Sequence, residues 1–288
     1  MTLSIVTNMG SLIVQNNLAA ATKSLNSSIE RMTTGYRINN AADDAAGYAV
    51  ATKFQTNLTS TSVAQDNVAM GSSLLSTLES TYDIMIAHFQ RIRDLTEQAA
   101  NGTYGADSIA AIKAEVSARL AEVDRLAGIT EYNGIKLIDG VTGSLKDNGL
   151  NLQIGITSDE DTSVINLDKS LFAKADTATL LNVATATFEG YFTAGGSNYG
   201  DALDAADAAL TSLTTKQTQI GAYQNRLDSA ANALTVQFDN ITSSLSTIKD
   251  ADVAAESSSF IQAQILQQAS ATLLSTANQT PSIALNLI

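Results

Sequence analysis

The stretch from Val68 to Ala99 reads VAMGSSLLSTLESTYDIMIAHFQRIRDLTEQA. Val68, Gly71, Leu75, Leu78, Tyr82, Met85, Phe89, Ile92, Thr96 and Ala99 step by three and four without an error. That is a heptad seam, the pattern of a helix packed along one face against another helix. A second seam runs through Leu203, Ala206, Leu210, Leu213, Gln217, Ile220, Gln224, Leu227, Ala231, Leu234, Phe238, Ile241, Leu245 and Ile248. A helix of that length is on the order of 70 Å long. The two are natural antiparallel partners. The prediction is a mostly α fold of long antiparallel coiled-coil helices, with Leu75, Leu78, Phe89, Ile92, Leu227, Leu234, Phe238 and Ile241 in the core seam.

Before the first seam, Leu18, Leu25, Ile29, Met32 and Tyr36 recur at helical spacing, and Ile5 begins the same amphipathic run. Thr33 to Gly47 then reads as a connector. Gly35 and Asn39-Asn40 break the helix, and Asp43-Asp44 supplies capping carboxylates for the next one. After the first seam, Asn101-Gly102 is a stop. Asp107 or Ser108 starts a helix with Ile109, Ile112, Val116, Leu120 and Val123 inward, ending near Gly128. From Tyr132 to about Gly200 turn dipeptides appear, at Asn133-Gly134, Asp139-Gly140 and Asn148-Gly149. Leu150 to Ile156 alternates as a half-buried strand. Ile135 to Ile138 and Val164 to Leu167 are weaker strands, and Phe188 to Gly200 reads as loop. A small β-hairpin region at one end of the helices fits. Lys249 to Asp252 is a second connector. Beyond it, Ile261, Ile265, Leu266, Ala269, Leu273 and Ala277 define a last helix, expected to stop at Pro281, the only proline.

Met1 to Thr22 and Ser257 to Ile288 carry no charged side chain, in a chain of 288 residues with net charge −13. Polar positions there are Ser, Thr, Asn and Gln, which can be hydrogen-bonded and buried without the desolvation cost of an ion. Both ends are therefore built for burial on all sides. One chain cannot easily do that to its own two ends, so many copies are expected to bury them together. The candidate assembly residues are Ile5, Leu18, Leu25, Ile29, Ile261, Ile265, Leu266 and Leu273. Membrane-surface helices carry Lys and Arg on their polar face, and these carry none. No membrane partner is expected.

Seven Phe, eight Tyr and no Trp argue for thin, Ala-rich helix packing over a thick globular core. The acidic balance argues against nucleic acid, which needs clustered Lys and Arg. Without Cys there is no disulfide or thiolate chemistry. No basic leader followed by an apolar run marks a secretory signal. His88 is the only histidine, so no catalytic triad or histidine metal site can be assembled. Asp43-Asp44 reads as helix capping before a catalytic pair. Asp159-Glu160-Asp161 lacks the glycine and spacing of a calcium loop and reads as a solvated turn. Triplets such as Asn57-Leu58-Thr59 are expected from composition. No cofactor or metal and no enzymatic activity are expected.

Three segments carry a resemblance: SSIERMTTGYRINNAADDAAGYAVATKF (Ser27–Phe54), QRIRDLTEQAANGTYGADSIAAIKAEVSARLAEVDRLAG (Gln90–Gly128), and IGAYQNRLDS with IKDADVAAESSSFIQAQILQQASATLLSTANQTP (Ile220–Ser229, Ile248–Pro281). Together they resemble bacterial flagellin, in a minimal form with only the filament-core domains. The resemblance implies a structural subunit of the helical flagellar filament, extracellular and exported unfolded by the flagellar type III system. It divides the chain into 1–45 and 249–288, the two halves of an inner-tube domain with its connectors. Segments 46–140 and 201–248 form the helical core, and 141–200 is a short variable β/loop region. Implied partners are other copies of the chain, an export chaperone at the C-terminal segment, and the filament cap and hook–filament junction proteins. The vertebrate flagellin-sensing Toll-like receptor is implied at Arg91, Leu95 and Glu115. A hook–filament junction-type axial protein is the alternative.

Overall fold

In the computed structural model, residues 8–138, 148–157, 159–193 and 198–285 are described. The elements in order are α1 (Met9–Thr34), α2 (Ala45–Ala100), α3 (Ala106–Ile129), β1 (Glu131–Tyr132), β2 (Ile135–Lys136), β3 (Leu150–Gln153), α4 (Glu160–Ser163) and β4 (Val164–Leu167). A 3-10 turn at Lys169–Phe172 follows, then α5 (Thr177–Leu181), α6 (Thr185–Gly190), α7 (Tyr199–Lys249) and α8 (Val253–Leu285). They gather into two compact units: Met1–Thr59 with Phe238–Ile288, and Ser60–Gln237. The division falls inside α2 and α7.

In the Ser60–Gln237 unit, every position of the α2 seam from Val68 to Ala99 is buried, and Leu75, Leu78, Tyr82, Met85, Phe89 and Ile92 are wholly inaccessible. Polar pairs fix α7 antiparallel beside α2. Gln65 Nε2 donates to Thr235 Oγ1 at 3.4 Å, Gln224 Nε2 to Glu79 Oε2 at 2.7 Å, and Arg93 Nε to Asp207 Oδ1 at 2.6 Å. Gln217 reaches Asp83 in the same way. The two glutamines of the α7 seam thus bond across to α2. Polar residues in an apolar seam fix register in this manner.

Leu213, Ile220, Leu227 and Leu234 of α7 are buried as the seam predicts. Near the start of α7 the outcome differs. Leu203 and Leu210 are only half-buried, while Ala202, Ala205, Ala206 and Ala209 are buried. There the core also takes in α3 and the short helices, so the covered arc of α7 widens and small side chains let the backbones approach. Phe238 and Ile241, expected in the core, are also only half-buried. They fall in the other unit, beyond the end of the buried seam.

Val164–Leu167 forms the expected strand; residues 168–192, with no element expected before a loop at Phe188, depart most. Ile165, Leu167, Leu171, Phe172, Leu180, Leu181, Phe188 and Phe192 all join the core. Phe188 packs against Tyr191 and Phe192, with ring centroids 6.1 and 5.7 Å apart. Asp124 of α3 ties α5 down: its carboxylate accepts from Thr177 N at 2.8 Å and Thr177 Oγ1 at 3.0 Å.

The β1–β2 hairpin turns at Asn133-Gly134, both with positive φ (49° and 76°), as a two-residue hairpin loop requires. β3 pairs antiparallel with β4 from Leu150↔Leu167 to Gln153↔Val164. The strand expected to reach Ile156 stops at Gln153. Ile154 N and Gly155 N both donate to Ser163 O, at 2.8 and 2.9 Å, and two residues against one end the regular ladder. Leu152 lies over Gly71 of α2, where a Cβ would come within 2.5 Å of its Cδ1. A glycine in the helix seam thus seats the hairpin.

One cation is enclosed. Lys216 Nζ donates to Ser170 O and Ala173 O at 2.5 and 3.3 Å and lies 5.8 Å from the Tyr82 ring. Tyr82 Oη donates to Leu171 O at 2.7 Å. Donors from α2 and α7 thus clamp the 3-10 turn after β4. Burial lowers the Lys216 pKa to about 8 and pushes the Tyr82 phenol up.

In the other unit, two connectors pair. Tyr36 and Asp250 form an antiparallel bridge. Arg37 N donates to Lys249 O at 2.7 Å and Ala251 N to Gly35 O at 2.9 Å. The Arg37 guanidinium donates to Ile248 O at 2.9 Å, at the C-terminus of α7 where a cation complements the helix dipole. Lys249 Nζ sits 4.2 Å from the Tyr36 ring centroid. Asp44 caps α2 by accepting from Ala46 N and Gly47 N, and Asp252 caps α8 through Ala254 N and Ala255 N. Asp43 serves the connector instead: it accepts from Asn39 N and Asn40 N, and those bonds hold its pKa low. Helix α8 runs past Pro281 to Leu285, so the missing amide does not end it.

Two outcomes follow. Gly149 has φ +78°, and a Cβ there would run into Leu167 O. Gly149→Ala should lower unfolding stability by roughly 1–3 kcal/mol, read by urea denaturation. Lys216 carries the opposite pH signature to a surface lysine. Its folded pKa lies below the ordinary 10.5, so between about pH 8 and 10.5 the unfolded chain holds more protons and stability rises with pH. Wild type should gain stability over that window relative to Lys216→Met, measured as the difference in melting curves at each pH.

Candidate assembly and recognition surfaces

Helices α1 and α8 lie antiparallel along their lengths. Asn8 Nδ2 donates to Ala277 O at 2.8 Å, Ser11 Oγ to Asn278 Oδ1 at 2.9 Å, and Gln267 Nε2 to Thr22 Oγ1 at 3.2 Å. Arg31 and Glu256 stand 3.8 Å apart at the connector end. The facing stripes are Ser11, Val14, Leu18, Ala21, Leu25 and Ser28 on α1, and Phe260, Ala263, Gln267, Ser270, Leu274 and Ala277 on α8. Both step by three and four. Most of these residues are small or polar.

Several of the larger aliphatic residues point elsewhere. Leu18 and Leu25 are half-buried against α8, but Ile29 is 44% exposed. On α8, Ile261, Ile265, Leu266 and Leu273 are each more than half exposed. Phe260, Ala263 and Ser270 face α1 instead. Met9, Leu12, Ile13 and Met32 of α1 are exposed as well. Ile5 lies outside the described residues. Close helix contact admits small side chains and a few large ones, and leaves the remaining bulky residues on an outer face that on α8 carries no charge beyond Glu256. Full burial of an Ile or Leu side chain contributes about 1.5–3 kcal/mol. The outer stripe of α8 therefore holds several kcal/mol that only association can release. Monomeric soluble proteins rarely leave so continuous an apolar face uncovered.

Arg91 and Glu115 meet across α2 and α3. Arg91 Nε donates to Glu115 Oε1 at 3.2 Å, and Arg119 reaches the same oxygen through Nε and Nη2 at 3.1 and 2.9 Å. The Arg119 bond, and secondarily Arg91, hold the Glu115 pKa low. Both Arg91 and Glu115 remain accessible to solvent, at 47% and 38% of their side chains. Leu95 does not join them at the surface. It is 2% exposed and belongs to the core, because it lies three residues after Ile92 and four before Ala99 on the buried arc. Arg119 was absent from the expected set, although its i,i+4 spacing from Glu115 signals the pair. His88 stands on the same flank, near enough to Glu122 to act on its charge. Its Nδ1 is buried without a hydrogen-bond partner.

Among the described residues, no cluster of His, Cys, Asp and Glu could hold a metal ion, and no helix is long and apolar enough to cross a membrane.

Residues 5–142 match the bacterial flagellin N-terminal helical region, and residues 203–288 match its C-terminal helical region. The chain belongs to the flagellin family. It is 33% identical over 283 residues to a flagellin of Listeria monocytogenes serovar 1/2a, and 33% identical over 298 residues to that of Bacillus subtilis, each match covering 98% of both chains. Both matches run nearly the full length of each chain, in keeping with a form that has only the filament-core segments. A structure titled as a flagellar hook-associated protein of Vibrio parahaemolyticus aligns with TM-score 0.61 at 14% identity, over 72% of this chain and 100% of that one. At that identity it shows a shared fold and no more. The whole-length matches make this flagellin a structural subunit of the flagellar filament, built to assemble with copies of itself.

Proposed function

We propose that the filament forms by burial of the apolar outer faces of α1 and α8 between copies, as the wall of an inner tube. The observation that carries this is the exposed stripe Ile261, Ile265, Leu266 and Leu273 on a helix without a charge beyond Glu256. In this reading, 1–45 and 249–288 form the inner-tube part, 46–140 and 201–248 the surrounding helical core, and 141–200 a short outer segment. The subunit works outside the cell and performs no catalysis; its family is one of structural proteins. It is exported unfolded, and before assembly an export chaperone holds the C-terminal segment through the same apolar stripe. Cap and hook–filament junction proteins meet the ends of the assembled array. Whole-length similarity to flagellins supports a filament subunit over a hook–filament junction protein.

The test is a chain with Ile265→Asp and Leu273→Asp. Both side chains are exposed in the single chain, so the melting temperature of the monomer should stay within about 2 °C of wild type, as for surface substitutions. Filament yield by electron microscopy should fall to nothing. Normal filaments would refute the burial of this stripe.

We also propose that Arg91 and Glu115 form the contact patch for the vertebrate flagellin-sensing Toll-like receptor, with Arg119 holding Glu115 in place and Leu95 supporting Arg91 from beneath. Arginine is favoured at such contacts for its planar fork of donors. Arg91→Ala should reduce receptor activation by free monomer at least tenfold, about 1.4 kcal/mol. An unchanged dose–response would remove the assignment.

A further inference from the structure

The Ser60–Gln237 unit has two surfaces that its own chain leaves unfilled. The first is a groove of about 500 Å³ beside the β3–β4 hairpin. Its apolar lining is Ile154, Val164, Ile165 and Ala230, and Arg226 of α7 stands on its wall. The Arg226 guanidinium lies 5.8 Å from the Tyr223 ring centroid, a contact that holds it against the helix surface. The second is a further heptad row on α2, separate from the buried seam. Val63, Met70 and Ile84 sit at multiples of seven and are 52%, 53% and 46% exposed. Asp66 lies between Val63 and Met70 on that exposed side. Among the described residues neither Asp66 nor Arg226 has an ion-pair partner.

We infer that these surfaces fit each other between copies: the Val63–Asp66–Met70 face of one chain enters the Arg226 groove of the next, with Asp66 paired to Arg226. A helix that offers apolar residues at i and i+7 around one carboxylate, and a groove that joins an apolar floor to polar Thr162, Asn225 and Ser229 and one unpaired cation, are complementary in charge and in their apolar patches. The two surfaces use different residues, and in a helical filament, which grows without closing, such a contact is heterologous and repeats from copy to copy. This rests on the reading that the chain assembles with itself, and adds a contact within the helical core to the one made by the terminal helices.

The natural chain has no cysteine, so the contact can be trapped. A chain carrying both Asp66→Cys and Arg226→Cys, assembled into filaments and then oxidised, should run as a ladder of covalent multimers. The same chain oxidised as monomer should not. Chains with either cysteine alone should give no ladder. Filaments without a ladder, or efficient dimers from Arg226→Cys alone, would overturn the contact while the filament reading stands. Failure of the wild-type chain to form filaments would overturn that reading as well. Should the double-cysteine chain not assemble, charge reversal decides. Arg226→Glu and Asp66→Lys should each raise the critical concentration for assembly about tenfold, and their combination should return it to within about twofold of wild type. Equal critical concentrations in all four chains would overturn the contact.

Discussion

Everything in the Ser60–Gln237 unit depends on one unbroken packing line, the buried arc of α2 from Val68 to Ala99. Its apolar side chains are closed off by α7 on one part, by α3 and the short helices on another, and by the β3–β4 hairpin at Gly71. Because interiors are packed to near-crystalline density, such a line leaves its partners little freedom. Gln217 and Gln224 can bond to Asp83 and Glu79 in one register only. Leu152 can rest on α2 only where a side chain is missing. The hairpin is thus positioned by a glycine about 80 residues earlier in the sequence.

That line was legible because a period of 3.5 residues kept up over many turns admits one geometry. The α3 face and the Asn133-Gly134 turn were legible for similar reasons, the latter because few residue pairs accept two positive φ values. Elsewhere two patterns coexist. On α8 the stripe through Ile261, Ile265 and Leu273 and the stripe through Phe260, Ala263 and Ser270 both have helical spacing. Hydrophobicity favours the first, but closeness of approach gives the intramolecular contact to the second. Composition still indicated that the large residues must be covered, without saying by what.

The segment between the hairpin and α7 was hidden for another reason. Helices of five and six residues, such as Thr177–Leu181 and Thr185–Gly190, are too short to show a period. Their order comes from long-range partners, chiefly Asp124 at Thr177 and the aromatic group around Phe188. The i,i+4 pair Phe188 and Phe192 was the one local sign of a buried face. Leu95 illustrates the limit of transferring roles by residue type. Its own spacing from Ile92 and Ala99 already put it inside. The partnership of Arg119 with Glu115, by contrast, was readable from helix spacing alone.

The pairing of the chain's two ends has a consequence for the order of folding. Asn8 bonds to Ala277 and Tyr36 bridges to Asp250, contacts that close nearly the whole polypeptide into a loop. Closing so long a loop from an unfolded chain is entropically unfavourable, and long-range contacts form slowly for that reason. Once α2 and α7 are zipped from Arg93–Asp207 to Gln65–Thr235, the effective loop shrinks to the lengths of the terminal segments. The ends therefore close last and open first. Through most of folding, the apolar outer faces of α1 and α8 belong to a disordered chain, and they are displayed together only on a molecule whose interior is already complete.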